Sequence, residues 1–527
     1  MINRRSFVRQ AGAAAAAVSS GLLQAGEPLA ASRDRQAGPN ILFITMDQAR
    51  YDTLGAAGNT LARTPNLDRL AAGGVLFTNC ASQSPVCMPS RATMMTGLYP
   101  KGHGVTDNFV CTLSPQHATV QELLHRAGYH AAIIGKNHYT YRPDRSGGTK
   151  PGNVLQELPA GWDYYDMVDL KAGAISTTPD AYRRELKRLG LFEKYLNWYR
   201  RGGLGPTDRI AINPWVLPAE LHPDNVVGRK TVEYLGRLPA DRPFFLWASF
   251  NGPHPPFDTP EPWDRLFDAA DVPLPAWRED EFGNKPPEHR HLHDSQSGFW
   301  EAHTPGERDR LLRRMTALYW GSVSLIDHWI GKALEALKDK GLSGNTLVVF
   351  ASDHGDYQGN HRMLNKGCAL YDDLVHVPLI LSGPGIPAGR NDHRLVELAD
   401  IFPTLLAAGG AGRQPNTTGH DLVSLARTGQ EVREACFSEY TYLKSVRTRR
   451  WKYVHYAGKP YAELYDLQND PHELVNLAGD PGHAARVGEM KELLILRNFE
   501  SEIWPVKNPT ETWQDELDPL GRPWSGG

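Results

Sequence analysis

Four short apolar runs along the chain break off abruptly into polar residues, and helix-patterned stretches separate them. Residues 41–46 lead into Asp47-Gln48, and residues 131–134 into Gly135-Lys136-Asn137-His138. Residues 244–250 lead into Asn251-Gly252-Pro253-His254, and residues 347–351 into Ser352-Asp353-His354-Gly355. Unbroken apolar runs of this length are what strands buried on both faces require. Thr64-Pro65 opens a helix that reaches Ala72, with a cap residue followed by proline at the first helical position. Residues 311–337 carry apolar side chains at helical spacing. The alternation predicts an α/β fold, a large domain with a central, mostly parallel sheet flanked by helices. Ligands of such sheets bind outside the carboxyl ends of the strands. Four of those ends here deliver acids, amides, histidines or a lysine.

The pattern changes after about Gly429. Residues 436–442, 445–450 and 451–456 read as a short antiparallel meander, and residues 484–497 as a helix before a tail rich in proline and tryptophan. A smaller C-terminal α+β domain with a short antiparallel sheet is therefore expected over residues 431–527, beside a principal, chemistry-bearing domain over residues 40–430. At the other end, Asn3-Arg4-Arg5-Ser6-Phe7-Val8-Arg9 is a twin-arginine pattern, and the apolar run at 11–23 is too short and alanine-rich to span a bilayer. Residues 1–31 are expected to be a twin-arginine signal peptide, cleaved near Ala30 or Ala31, with residues 32–39 an unstructured entry. The expected partner is the twin-arginine translocation machinery, and the destination is the periplasm or the medium. No other run reaches eighteen apolar residues, so no membrane span is expected in the mature protein.

Composition narrows the chemistry. The net charge of -3 leaves no basic footprint for nucleic acid. An anionic ligand must then be held by locally placed cations, not by the global field. The five cysteines, Cys80, Cys87, Cys111, Cys368 and Cys436, are few for an exported protein and odd in number. Twin-arginine export carries folded proteins, so folding takes place in a reducing cytoplasm and a disulfide framework is not expected. The odd cysteine asks for a chemical explanation.

The stretch Cys87-Met88-Pro89-Ser90-Arg91-Ala92-Thr93-Met94-Met95-Thr96-Gly97 supplies one. Pro89 suits the first turn of a helix, which puts residue 87 at its N-terminus, where free N–H groups and the helix dipole favour an oxyanion such as sulfate. Arg91, four residues on, shares that face. The stretch resembles the signature of the type I sulfatases of the alkaline phosphatase superfamily, in which Cys-x-Pro-Ser-Arg directs oxidation of the cysteine to formylglycine (3-oxoalanine). The resemblance runs from Asn40 to about Asp480, with the family's other motifs in order. Asp47-Gln48 and Asp353-His354-Gly355 match its two metal pairs, Lys136 and His138 its Gly-Lys-x-His element, His254 its Pro-His element, and Lys366 its Asn-Lys-Gly element.

The resemblance implies one divalent metal held by Asp47, Gln48, Asp353, His354 and an oxygen of modified residue 87. It implies that Lys136, Lys366 and Arg91 grip sulfate, while His138 and His254 move protons. One hydroxyl of the hydrated aldehyde attacks sulfur, and the second expels sulfate and regenerates the aldehyde. Partners implied are a sulfate ester substrate and a formylglycine-generating enzyme. Gln48 and His354 depart from the commoner Asp and Asn. Calcium is the family expectation, and the imidazole makes manganese a competitor.

Two other readings stay open. Phosphonate monoester or phosphodiester hydrolases of the same superfamily share the modified cysteine and an Asp-Gln, Asp-His set, but typically lack the lysine and histidine kept here as Lys136 and His138. A non-catalytic glycan-binding relative is the other. For substrate, Tyr139, Tyr141, Trp162, Tyr164 and Tyr165 could equally line an apolar or sugar-stacking wall or serve as core aromatics. Residues 170–215 could form a substrate-shaping insertion.

Overall fold

The structure, a computed structural model, describes residues 38–108, 112–140, 142–143, 154–155, 160–168, 181–201, 212–238, 242–414 and 417–500. The expected signal peptide, nearly all of the entry segment, Cys111, Tyr141 and the tail after residue 500 lie outside the described residues, as do parts of the 170–215 segment.

The apolar runs become strands. In chain order these are β1 (Asn40–Asp47), β2 (Val75–Ala81), β3 (His130–Gly135), β4 (Tyr164–Met167), β5 (Phe244–Pro253), β6 (Thr346–Ser352), β7 (His376–Ser382) and β8 (Arg390–Glu397). They form one eight-stranded sheet in the order β8-β2-β7-β6-β1-β5-β3-β4. Only β7 runs antiparallel to its neighbours, β2 and β6. The sheet is thus mostly parallel, as expected, with one reversed strand that the apolar pattern did not reveal. A run of apolar residues carries no sign of its direction.

Alternate residues of the inner strands feed two cores. Ile41 and Phe43 of β1 join Ile133, Phe245, Trp247 and Val349 on one face. Leu42, Ile44 and Met46 join Ile134, Leu246 and Phe350 on the other. Both faces are covered by helices, which is why the runs are apolar without interruption. Helix α1 (Pro65–Ala72), α3 (Pro223–Gly236) and α4 (Pro305–Asp339) pack on the second face through Leu67, Val227 and Ile326. Helix α2 (Cys87–Thr96) packs on the first face through Met88, Ala92 and Met95. Helix α4 starts earlier than its apolar periodicity, because Thr304 caps it and forms a capping box with Glu307.

A four-stranded antiparallel sheet follows, built from β9 (Cys436–Tyr440), β10 (Leu443–Arg447), β11 (Trp451–Tyr456) and β12 (Ala462–Asp466) in sequential order, with helix α5 (Ala484–Glu500) after it. The fourth strand is an addition to the expected meander. Its Glu463 and Asp466 are buried acids, and they interrupt the apolar pattern that would have marked it.

Tyr139 is fully buried, and Trp162 stacks on Phe245 and lies 6.5 Å from the Trp247 ring centre, so these two serve the core. Among the described members of that group, Tyr164 and Tyr165 are the exposed pair. Within the 170–215 segment, Tyr182, Leu186, Tyr195 and Trp198 also pack into the second core.

Candidate active site

The strand ends converge at the carboxyl edge of the sheet. β1 ends at Asp47 after a register irregularity with β5 between Thr45 and Asp47, and the chain then turns through Gln48 in a left-handed backbone (φ 73°). β3 ends at Gly135 (φ 105°), where a Cβ would sit 1.9 Å from the Ser249 carbonyl oxygen, so only glycine lets Lys136 follow there. His138 is left-handed as well (φ 50°). Non-glycine residues in this region are costly and persist where surrounding contacts impose them, and they concentrate at functional sites.

Helix α2 delivers Cys87 as its first residue, and all ten of its residues are buried. Gly97 closes it in a left-handed cap. The Cys87 sulfur lies 3.5 Å from Asp47 Oδ1, 3.1 Å from His354 Nε2 and 2.8 Å from Lys366 Nζ. Ligand atoms of Asp47, Cys87, Asp353 and His354 all lie within 4.8 Å of one another, and all four residues are buried. The His354 Nδ1 faces the Gly355 carbonyl at 2.8 Å. A carbonyl only accepts, so Nδ1 carries the proton and the Nε2 lone pair faces the cluster. Burial, then Lys366, pushes the imidazole down to about 4, which keeps it neutral and able to ligate. Two carboxylates, a neutral imidazole and residue 87 fit a divalent cation, with the amide oxygen of Gln48 one hydrogen bond away through Lys366 (2.7 Å).

Cations surround this set. Lys136 pairs with Asp47, and Lys366 reaches both Gln48 and Cys87. Burial alone would raise the Asp47 carboxyl, but Lys136, Lys366 and Arg91 outweigh it and hold that carboxyl well below the usual range. Arg91 donates through Nε to Asp353 Oδ2 (2.7 Å), and through Nη1 to the Lys136 carbonyl (3.1 Å) and Ser249 Oγ (2.9 Å). The arginine therefore grips Asp353, whereas its helical phase alone pointed to residue 87. His138 and His254 are buried, and each lies within electrostatic reach of Lys136, Lys366 and Asp47. Burial first and the cations next push both imidazoles well below their usual value. Asp47, Gln48, Cys87, Arg91, Lys136, His138, His254, Asp353, His354 and Lys366 are thus brought to this strand edge.

Other contributors carry no such mark in the sequence. Ser249 anchors Arg91, Tyr319 reaches in from α4 to the Gln48 carbonyl (2.6 Å), and Asn108 accepts from the Met88 N–H at the start of α2 (2.9 Å). They come from a strand interior, a distant helix and a loop. Only proximity in the sequence could have flagged Asp356, three residues past Asp353 and in contact with Gln48.

A doubly covered, mostly parallel sheet with a cation-binding set and cationic side chains at its carboxyl edge fits the hydrolases of the alkaline phosphatase superfamily. The sulfatase family profile matches residues 39–411, and the profile of the N-sulphoglucosamine sulphohydrolase C-terminal region matches residues 359–499. An arylsulfatase of Clostridium perfringens is 30% identical over 484 residues, covering 87% of this chain and 94% of that protein. A multifunctional alkaline phosphatase superfamily protein of Trinickia caryophylli is 29% identical over 493 residues, with 85% and 93% covered. The solved phosphonate monoester hydrolase of Agrobacterium radiobacter superposes with a TM-score of 0.71 at 29% identity, covering 88% of this chain and 96% of that one. The chain belongs to the sulfatase family, and it is an enzyme. No helix among the described residues is long and apolar enough to cross a membrane.

Proposed function

We propose that this enzyme hydrolyses sulfate esters of alcohols or phenols, sulfated carbohydrates among them, with residue 87 acting as formylglycine. The observation that carries the reading is the position of Cys87. It starts a buried helix inside the four-residue donor set, touches Lys366 and His354, and is followed by Met88-Pro89-Ser90-Arg91. Asp47, Gln48, Asp353, His354 and an oxygen of residue 87 would hold a divalent cation, calcium by family expectation or manganese by the imidazole, which when bound polarises sulfate oxygens and acidifies a neighbouring hydroxyl.

The chain's own groups do the rest. Lys136 and Lys366 neutralise charge on the sulfate oxygens as the bond to the leaving oxygen lengthens. Arg91 keeps Asp353 in place, and its Nη2, buried and without a hydrogen bond, is left for residue 87 or for a sulfate oxygen. One hydroxyl of the residue 87 hydrate, having lost its proton to solvent, attacks sulfur; the bond to the leaving oxygen breaks, and His254 protonates the departing alcohol. The other hydroxyl then gives its proton to His138, sulfate leaves and the aldehyde returns. The negative charge that a sulfate ester brings raises the proton affinity of both histidines from the low values imposed by burial and the cations.

Phosphonate monoester hydrolysis is the second reading, favoured by the solved relative at 29% identity. Against it stand Lys136 and His138, both at the site. One preparation, whose residue 87 has been read by peptide mass spectrometry, should turn over 4-nitrophenyl sulfate faster than a phenyl phosphonate ester. Faster phosphonate turnover would overturn the sulfatase assignment, and full activity with an unmodified thiol would overturn the formylglycine.

A further inference from the structure

All the polar groups of Gln48 are engaged. Its N–H donates to Asp353 Oδ1 (2.9 Å) and its carbonyl accepts from the Tyr319 hydroxyl (2.6 Å). The amide Oε1 accepts from Lys366 (2.7 Å), while Nε2 donates to Asn365 Oδ1 (3.0 Å) and to Asp356 Oδ2. The direction of this amide decides whether the donor set is offered a lone pair or two N–H groups. A cation accepts only the lone pair.

Asp356 supplies the direction. A carboxylate presents only acceptors, so the nitrogen of Gln48 must face it and the oxygen must turn towards Lys366. Asp356 is buried, and its other oxygen takes the Gln358 N–H at 2.8 Å, so neither oxygen has an alternative role. An asparagine at 356 has one oxygen for these two donors. A carboxylate at 48 would keep Lys366 on one oxygen but meet Asp356 oxygen to oxygen on the other, and two like charges in contact inside the protein are costly.

We propose that Asp356 is a positioning residue that aims the Gln48 amide oxygen into the donor set, and that its carboxylate is the reason an amide stands at position 48. The proposal rests on the metal-assisted reading above and adds to it a residue outside the ligand set. It also predicts a compensating exchange. With Gln48→Glu and Asp356→Asn together, the asparagine oxygen keeps the Gln358 N–H, its nitrogen donates to the new glutamate, and the hydrogen bond survives with its polarity reversed.

The experiment titrates Ca²⁺ and Mn²⁺ by calorimetry into chelator-treated full-length protein and measures its melting temperature without metal. Asp356→Asn should bind metal roughly 10- to 100-fold more weakly than wild type, the usual loss on removing a group that orients a ligand. Gln48→Glu should melt lower than wild type, and the double variant should recover both stability and metal binding. Wild-type affinity in Asp356→Asn, or a double variant no more stable than Gln48→Glu, would overturn the proposal. A wild-type protein that binds neither ion would overturn the metal reading itself, and the melting temperatures would then decide the Gln48–Asp356 pairing alone.

Discussion

Two of the clusters of buried ionisable groups among the described residues are wired in opposite ways. Beneath the C-terminal sheet, Lys285 donates to the hydroxyls of Tyr371 (3.0 Å) and Tyr465 (2.9 Å), and His289 meets Tyr371 (2.8 Å) and Tyr456 (3.1 Å). Glu463 accepts from Tyr456 (2.6 Å) and Tyr465, and Lys452 lies 2.9 Å from both Asp372 and Glu473. Donors and acceptors alternate there, each facing its neighbour. At the strand edge the ligand atoms of Asp47, Cys87, Asp353 and His354 point at one another within 4.8 Å, with the cations standing around them. Alternation makes a rigid frame, whereas convergence of lone pairs makes a binding site. Burial of charge is common to both, so it does not by itself identify chemistry.

The difference can be broken at its centre. Cys87→Ser keeps a hydroxyl at the start of α2 but cannot form the proposed hydrate, so under the proposed mechanism it lacks the second hydroxyl that would expel sulfate. Turnover should fall on the order of 10³-fold or more, leaving one slow burst of alcohol and a stable sulfate on residue 87, read by mass spectrometry over hours. Sustained turnover by this variant would sink the mechanism.

A paired substitution separates the clusters. Asp353→Ala removes a proposed ligand and leaves Arg91 buried without its carboxylate partner, so both metal content and stability should drop, the latter by about 3–5 kcal/mol. Lys285→Met should destabilise to a comparable extent, because Tyr371, Tyr465 and the Glu473 carbonyl lose a shared donor, yet folded protein should keep its metal and its kcat/KM. Elemental analysis and denaturant melts on both variants provide the check. Loss of metal from Lys285→Met would show that the two networks act as one.

The smallest effect lies between them. Asp373 is tied to Arg50 (2.8 Å) and Asn360 (2.8 Å) and also faces His361 (3.4 Å). Burial would raise its carboxyl, but Arg50 and these neighbours hold it at about 2. A carboxyl depressed on folding stabilises the protein above its unfolded value near 4, and that contribution is lost as pH falls from about 4 through 2. Asp373→Asn should therefore cost about 2 kcal/mol at pH 7 and progressively less towards pH 3. A penalty independent of pH would refute the assignment.

Much of the site was legible in the chain because its residues sit where a buried strand stops. The ends of β1, β3, β5 and β6 place Asp47, Lys136, His254 and Asp353 within a few residues of an apolar run, and Pro89 marks the start of α2. Periodicity also determined the two-faced sheet and most of the C-terminal meander, since burial on one or both faces writes itself directly into residue type. It could not determine the direction of β7, or β12 with its buried acids. Nor could it show that Arg91 grips Asp353, or that Asp356 orients Gln48. Those outcomes depend on contacts between residues as many as 308 positions apart. A hydrogen bond is set by the distance and direction of two groups in space, and local pattern records only which groups are available to make it.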